Sequence, residues 1–258
     1  MKNLAYFIVM FSATTLLFSG CKKNVDPAQP ALERGLLYLH LHTYVGSTEV
    51  DLYNTIYTTE SERKISLSIS QFYMSKIELI KLDGSIVSIP DTIILKIQNE
   101  TRYALGNAPV GNYKSIRFNV GLDQKTNASI PPGGSVLDRT EMWFGSSAQP
   151  DGFIFLNIQG KIDTTSDASG ADDQMQSFVY KIGTNANLKQ VTMPNQNFVI
   201  APNQTKYLHM YYEVNKLFTG IPLGRSENLS IKTPAENETP LASKIKDNIP
   251  TMFRYEQE

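Results

Sequence analysis

From Gly35 onward the chain alternates apolar and polar residues with a period of two, which is the signature of half-buried β-strands rather than helices. Leu37, Leu39 and Leu41 alternate with Tyr38, His40 and His42, so a strand here buries its leucines and turns both histidines to the opposite face. Gly46 ends it. Val50 to Thr58 and Lys64 to Tyr73 carry β-branched and aromatic residues and read as two further strands. Ile77 to Leu82, then Asp83-Gly84, then Ile86 to Ile89 predicts a hairpin closed by a type I′ turn. Strands follow at Thr92 to Gln98, Lys114 to Val120, Phe153 to Gly160, Gln176 to Ile182, Lys189 to Met193 and Lys206 to Val214. About ten strands without a sustained helical period define an all-β fold, an antiparallel β-sandwich.

Three stretches break the pattern. Thr126 to Asp151 is rich in Pro and Gly and holds the only tryptophan, Trp143; its length predicts a long aromatic loop. Thr164 to Asp173 is polar and acidic and predicts a mobile hairpin tip. Leu241, Ile245 and Ile249 recur at helical spacing, with Phe253 beyond Pro250, which predicts a short C-terminal helix docked on the sheet.

The first residues have another character. Met1-Lys2-Asn3 is basic, Leu4 to Leu17 is an apolar run broken only by small polar residues, and Phe18-Ser19-Gly20 precedes Cys21, the only cysteine. The apolar run of about 15 residues is short of the roughly 20 that span a bilayer. It reads as a bacterial lipoprotein signal peptide over residues 1–20, with Cys21 diacylated and anchoring the protein to a membrane of the cell envelope. Residues 21–34, polar and carrying Pro27 and Pro30, form a flexible tether, and residues 35–258 form one domain. A lipid-bearing Cys21 leaves no thiol for disulfides or thiolate metal sites. Basic and acidic residues number 24 and 25 for a net charge of −1, without a basic block, so nucleic acid is not an expected partner. The sequons at Asn99, Asn127, Asn203, Asn228 and Asn237 read as surface turns in a bacterial protein.

The order of these pieces resembles the MbnP-like copper-binding family, periplasmic proteins that are common as lipoproteins. The similarity rests on Leu36 to Gly46 ending in a Val-Gly turn, on Ser70-Gln71-Phe72-Tyr73-Met74-Ser75-Lys76-Ile77-Glu78-Leu79 closed by Asp83-Gly84, and on Pro109-Val110-Gly111-Asn112-Tyr113 with Ile116 to Gly121. Met142-Trp143-Phe144 with Gly152 to Gly160, Glu213 to Phe218, and Leu241 to Asn248 with Phe253 extend it. The resemblance implies an all-β envelope protein with a surface copper site and, in some members, a tryptophan oxidised to kynurenine by a dihaem partner. Two features of the family pattern are missing. No second tryptophan follows Trp143 before the Gly152 strand, and Ile231-Lys232-Thr233 stands where a histidine often precedes the closing helix.

Three histidines are the metal-ligating candidates: His40, His42 and His209. Two residues apart on a strand, His40 and His42 point the same way with about 7 Å between Cα atoms, and imidazole suits Cu(II). His209 joins them if the last long strand pairs with the first, and Met210 then faces the other side. Trp143 beside Met142 is the candidate oxidised aromatic, against the alternative of a hydrophobic plug that folds the loop onto the sheet. There is no Gly-x-Ser-x-Gly elbow, His-Glu-x-x-His helix or phosphate-binding glycine loop. Asp123, Asp138, Glu141 and Asp151 read as solvated loop charges. The expected function is that of a binding protein without catalysis. It holds copper through the strand histidines, or else binds a carbohydrate or protein partner through the aromatics of the long loop.

Overall fold

A computed structural model describes residues 33–146 and 149–256. The signal segment, Cys21 and most of the tether lie outside the described residues. In chain order the strands are β1 (Arg34–Val45), β2 (Thr48–Glu49), β3 (Ile56–Thr58), β4 (Lys64–Lys81), β5 (Ile86–Ser88), β6 (Ile94–Lys96), β7 (Arg102–Pro109) and β8 (Gly111–Val120). After the single turn α1 (Gln124–Asn127) come β9 (Trp143–Ser146), β10 (Gln149–Ile162), β11 (Gln176–Gly183), β12 (Lys189–Thr192), β13 (Phe198–Ile200), β14 (Thr205–Glu213) and β15 (Ser230–Ile231). The helix α2 (Pro240–Met252) and β16 (Phe253–Tyr255) close the fold. The all-β class is as expected, and several of these strands are only two or three residues long.

The strands form two sheets. In the first, β7, β1, β14 and β16 lie side by side, with β2 pairing the end of β1. In the second, the order is β12, β8, β4, β10, β11, β15, with β13 on β8, β9 on β10, and β3, β5 and β6 on β4. The sheets are mixed rather than purely antiparallel, because β1 runs parallel to β14 and β11 parallel to β15. Alternation specifies which face a residue takes and is silent on strand direction, so the parallel pairs were not legible locally.

The main core lies between the sheets. Leu37, Leu39, Leu41 and Val45 of β1 are fully buried there with Phe72 and Met74 of β4, and with Ala242, Ile245, Ile249 and Met252 of α2. The helix starts with Thr239 capping Ala242 and Pro240 in its first turn, where a missing N–H costs nothing, and it continues past Pro250 to Met252. On β4 the neighbour of Phe72 and Met74, Tyr73, points the other way into a second apolar cluster with Phe153 and Phe155 of β10, Trp143, Phe144, Met142, Leu137 and Leu122. This second cluster covers the outer face of the second sheet.

Three local expectations are corrected. The strands expected at Lys64 to Tyr73 and at Ile77 to Leu82 are one strand of 18 residues ending at Lys81, with a bulge where Lys76 takes φ +49°. The Asp83-Gly84 hairpin exists, but only Gly84 has positive φ (+88°) and Lys81 bonds Ser85, so the loop is a three-residue turn and not type I′. The acidic tip after β10 is tied down: the Asp163 carboxylate accepts from the backbone N–H of Thr165 and Gly170, and Arg63 holds the carbonyls of Asp163 and Thr165.

Candidate functional site

The parallel register of β1 and β14 sets Tyr38 beside Tyr207, His40 beside His209 and His42 beside Tyr211. Because side chains alternate, all of these face away from the main core, while Met210, next to His209, is fully buried on the other side. The three histidines meet. His40 Nδ1 lies 3.1 Å from His209 Nδ1, and His40 Nε2 lies 3.1 Å from His42 Nε2. The His40 ring meets both neighbours edge to face.

Two carboxylates that the sequence did not single out complete the group. Glu49, set opposite Tyr44 by the β1–β2 pair, bonds His42 Nδ1. Glu256, just past β16, is positioned by its own N–H on the His209 carbonyl at 3.1 Å. Its Oε2 stands 3.8 Å from His209 Nδ1 and its Oε1 stands 4.0 Å from His42 Nε2. That Oε1 is buried without a hydrogen-bond partner. The short turn at Gly46, which folds β2 back on β1, was the available signal for Glu49. Glu256, beyond the three-residue β16, carried none.

The hydrogen-bond directions are mutually consistent. A Glu49 carboxylate accepts from His42 Nδ1–H; His42 Nε2 is then an acceptor for His40 Nε2–H; and His40 Nδ1 in turn accepts from His209 Nδ1–H. Burial, then the neighbouring His42 and His209 and the Arg102 cation, holds the His40 pKa below the usual histidine value, with Glu49 opposing. Burial pushes Glu256 up, an effect offset by His42 and His209 and reinforced by Glu49.

Among the described residues, no group of three or more His, Cys, Asp or Glu side chains converges on one point as a metal cage. The donor chemistry nonetheless fits a transition ion. Two imidazole nitrogens 3.1 Å apart match neighbouring ligands on an ion with bonds of about 2.0–2.1 Å, and an orphan carboxylate oxygen sits beside them.

Trp143 does not join this group. It lies in the second apolar cluster, 7% exposed, and its indole N–H donates to the Leu137 carbonyl at 2.9 Å. The histidines occupy the outer face of one sheet and Trp143 the outer face of the other, so the thickness of the sandwich separates them. The stretch expected to be a long loop folds instead into α1, a 3-10 turn at Thr140–Met142 and β9. Met142, Trp143 and Phe144 are all buried and present no aromatic platform to a partner.

Fold and face together define a class: an all-β two-sheet protein with an imidazole-lined outer surface. The MbnP family model matches residues 34–237, and the chain belongs to that family. Among solved structures it is similar to MbnP from Methylosinus trichosporium, with 16% identity over 81% of this chain and 94% of that one and a TM-score of 0.48. No curated protein matches.

Proposed function

We propose that this protein is a binding protein of the bacterial envelope, anchored by lipid on Cys21, that holds copper on His40, His42 and His209 with Glu256 beside them. One observation carries the reading: three imidazoles from strands 169 residues apart in sequence meet at hydrogen-bond distance on one face, next to a buried carboxylate oxygen with no partner. A solvated strand face has no reason to gather three imidazoles at hydrogen-bond distance at the cost of their solvation. Copper supplies a Lewis-acidic, redox-capable centre when bound. Glu49 fixes His42 through Nδ1 and leaves its Nε2 facing the site, as metal-binding histidines require of their second nitrogen.

The role is binding rather than catalysis, and Trp143 serves packing. Support comes from its burial and its bonded indole N–H. A dihaem oxidase or another envelope protein remains the proposed class of partner.

Equilibrium dialysis against Cu(II) tests the site, comparing the protein with its His40→Ala/His42→Ala variant. Retention by the parent and loss by the variant is expected, and equal uptake overturns the assignment. Palmitate labelling tests the anchor: a Cys21→Ser variant that still labels removes it.

A further inference from the structure

The outer face of the second sheet changes character along β4. Gln71 and Tyr73 stand two residues apart and share that face. Tyr73 lies under the apolar cover that contains Trp143, whereas Gln71 lines an open cavity of about 310 Å³. Ser68 belongs to the wall of this cavity and also to that of a second one, of about 340 Å³, which reaches Lys161 and Asp172. Two cavities with a common wall make a groove, and each has the size of a small-molecule site, about 300–1,000 Å³.

The first cavity is lined by carboxamides held in place by one another. Gln71 Nε2 donates to Gln98 Oε1 at 3.0 Å, and Gln98 Nε2 donates to the Ser68 carbonyl at 3.4 Å. Asn157, opposite Gln71 across the β4–β10 pair, donates to the Glu141 carbonyl at 3.3 Å and accepts from Gln159 Nε2 at 2.8 Å. The bond to Gln98 fixes which way the Gln71 carboxamide points. Its Oε1 is left buried without a hydrogen-bond partner, in a residue only 8% exposed. An unpaired acceptor at that depth costs free energy, which a ligand's O–H restores.

The charges along the groove are balanced. Arg139 and Glu141 line the first cavity, both exposed, and neither forms an ion pair among the described residues. Lys161 and Asp172 give the second cavity one charge of each sign as well. A phosphate or a polyamine needs a surplus of the opposite charge, and a lipid needs apolar walls. A neutral chain of hydroxyl-bearing rings needs what is present: donors and acceptors in alternation, already oriented.

We propose that this groove binds a neutral oligosaccharide. Sugar hydroxyls donate to Gln71 Oε1 and to the Glu141 carboxylate and accept from the Arg139 guanidinium, while half-buried Tyr53 adds an aromatic ring to the lining. The chain of sugars continues past Ser68 into the second cavity. The groove lies on the opposite side of the sandwich from the histidines, so the proposal stands or falls independently of the copper reading.

The test is calorimetric titration of the full chain, in a detergent without a sugar headgroup, with cellohexaose, maltohexaose, xylohexaose and chitohexaose, and with hexaglycine as a neutral peptide of similar reach. Saturable binding of at least one saccharide is expected, with hexaglycine inert. Arg139→Ala and Glu141→Ala, both at exposed positions, should each weaken it by about tenfold or more, the loss of one hydrogen bond to a charged group. Gln71→Leu keeps the bulk of the side chain without its acceptor and should abolish binding. Trp143 fluorescence reports whether each variant is folded, and the two exposed positions decide the matter if Gln71→Leu is not. Failure of every saccharide to bind overturns the proposal, as does binding of hexaglycine alone. A saccharide bound equally well by the parent and the folded variants overturns the assignment to this groove.

Discussion

Tyr38 stacks on Tyr207 across the parallel β1–β14 pair, with ring centroids 5.4 Å apart and planes inclined by 28°, two residues ahead of the His40–His209 contact. Tyr44 and Tyr211 pack on the other side with their rings tilted, centroids 4.7 Å apart and planes inclined by 43°. The histidines thus lie between two aromatic pairs that span the one parallel pairing of this sheet among the described residues. These pairs hold the two strands in the register that makes the site.

Stacked aromatics contribute about 0.5–1.5 kcal/mol beyond the area they bury. Tyr207→Ala is expected to lower stability by about that much in guanidinium unfolding, with an unchanged slope. In a double-mutant cycle with Tyr38→Ala, a coupling energy in the same range is expected. Additive losses would mean that the stack contributes nothing to register.

Gly160 makes a steeper demand. A Cβ there would lie 1.9 Å from the Ser66 carbonyl oxygen, part of the backbone of β4, at the bulge where the β4–β10 register shifts. Backbone cannot swing aside as a side chain does, so Gly160→Ala must push the two central strands apart. A loss of about 3 kcal/mol is expected. Gly133→Ala is the control, since nothing lies within 4 Å of its would-be Cβ, and it should change stability by less than about 0.5 kcal/mol. Equal losses in the two variants would dismiss the close approach as the cause.

The outward placement of His40 and His42 was legible because it needs only the alternation of β1, which its burial pattern follows without a break. The convergence of His209 on them depends on a parallel pairing between residues 169 positions apart, and nothing local encodes that partner. The C-terminal helix was legible from Leu241, Ile245 and Ile249, because an apolar stripe at helical spacing has one way to bury itself. Trp143 was harder. Pro and Gly marked its neighbourhood as loop, yet Tyr73, Phe153 and Phe155 on the outer face of β4 and β10 needed a cover, and that need shows only once the sheet is assembled.

Asn237 corrects the reading of its sequon as a surface turn, for it is 2% exposed. Its Oδ1 accepts from the N–H of Gly183 and from Asn187 Nδ2, and its Nδ2 donates to the carbonyls of Lys181 and Thr233. The carboxamide thereby ties the end of β11 to the segment leading into α2. Asn237→Ala leaves several buried groups unsatisfied at about 1–3 kcal/mol each. A total loss of about 3–5 kcal/mol is expected in chemical denaturation, against less than about 0.5 kcal/mol for Asn99→Ala at an exposed sequon. A loss below 1 kcal/mol at Asn237 would show that water replaces these bonds.

Lys96 gives the fold a dependence on pH. Its side chain is 1% exposed, its ammonium lies 5.8 Å from the centre of the Tyr212 ring, and it donates to the Ile97 carbonyl. Burial brings its pKa down from 10.5 to about 8, against the upward pull of Glu100 and Glu49. Between about pH 8 and 10.5 the unfolded chain therefore keeps a proton that the folded chain has released, and stability rises with pH across that window. Below pH 8 both states are charged and the burial cost stands in full, at about 3 kcal/mol for a shift of this size. Buried tyrosines act in the opposite sense at higher pH: Tyr73, Tyr103 and Tyr180 are pushed well above the ordinary value of 10.0, so above it the unfolded chain loses protons that the folded one retains. Stability should accordingly climb from about pH 8, level off near pH 10 and then fall. Lys96→Met keeps the volume of the stem without the charge. It is expected to be more stable than the parent at pH 7 by about 1–3 kcal/mol, with the rise above pH 8 abolished. Guanidinium unfolding of both proteins at intervals from pH 7 to 10 measures this, and parallel curves for the two would place the origin of any slope elsewhere than at Lys96.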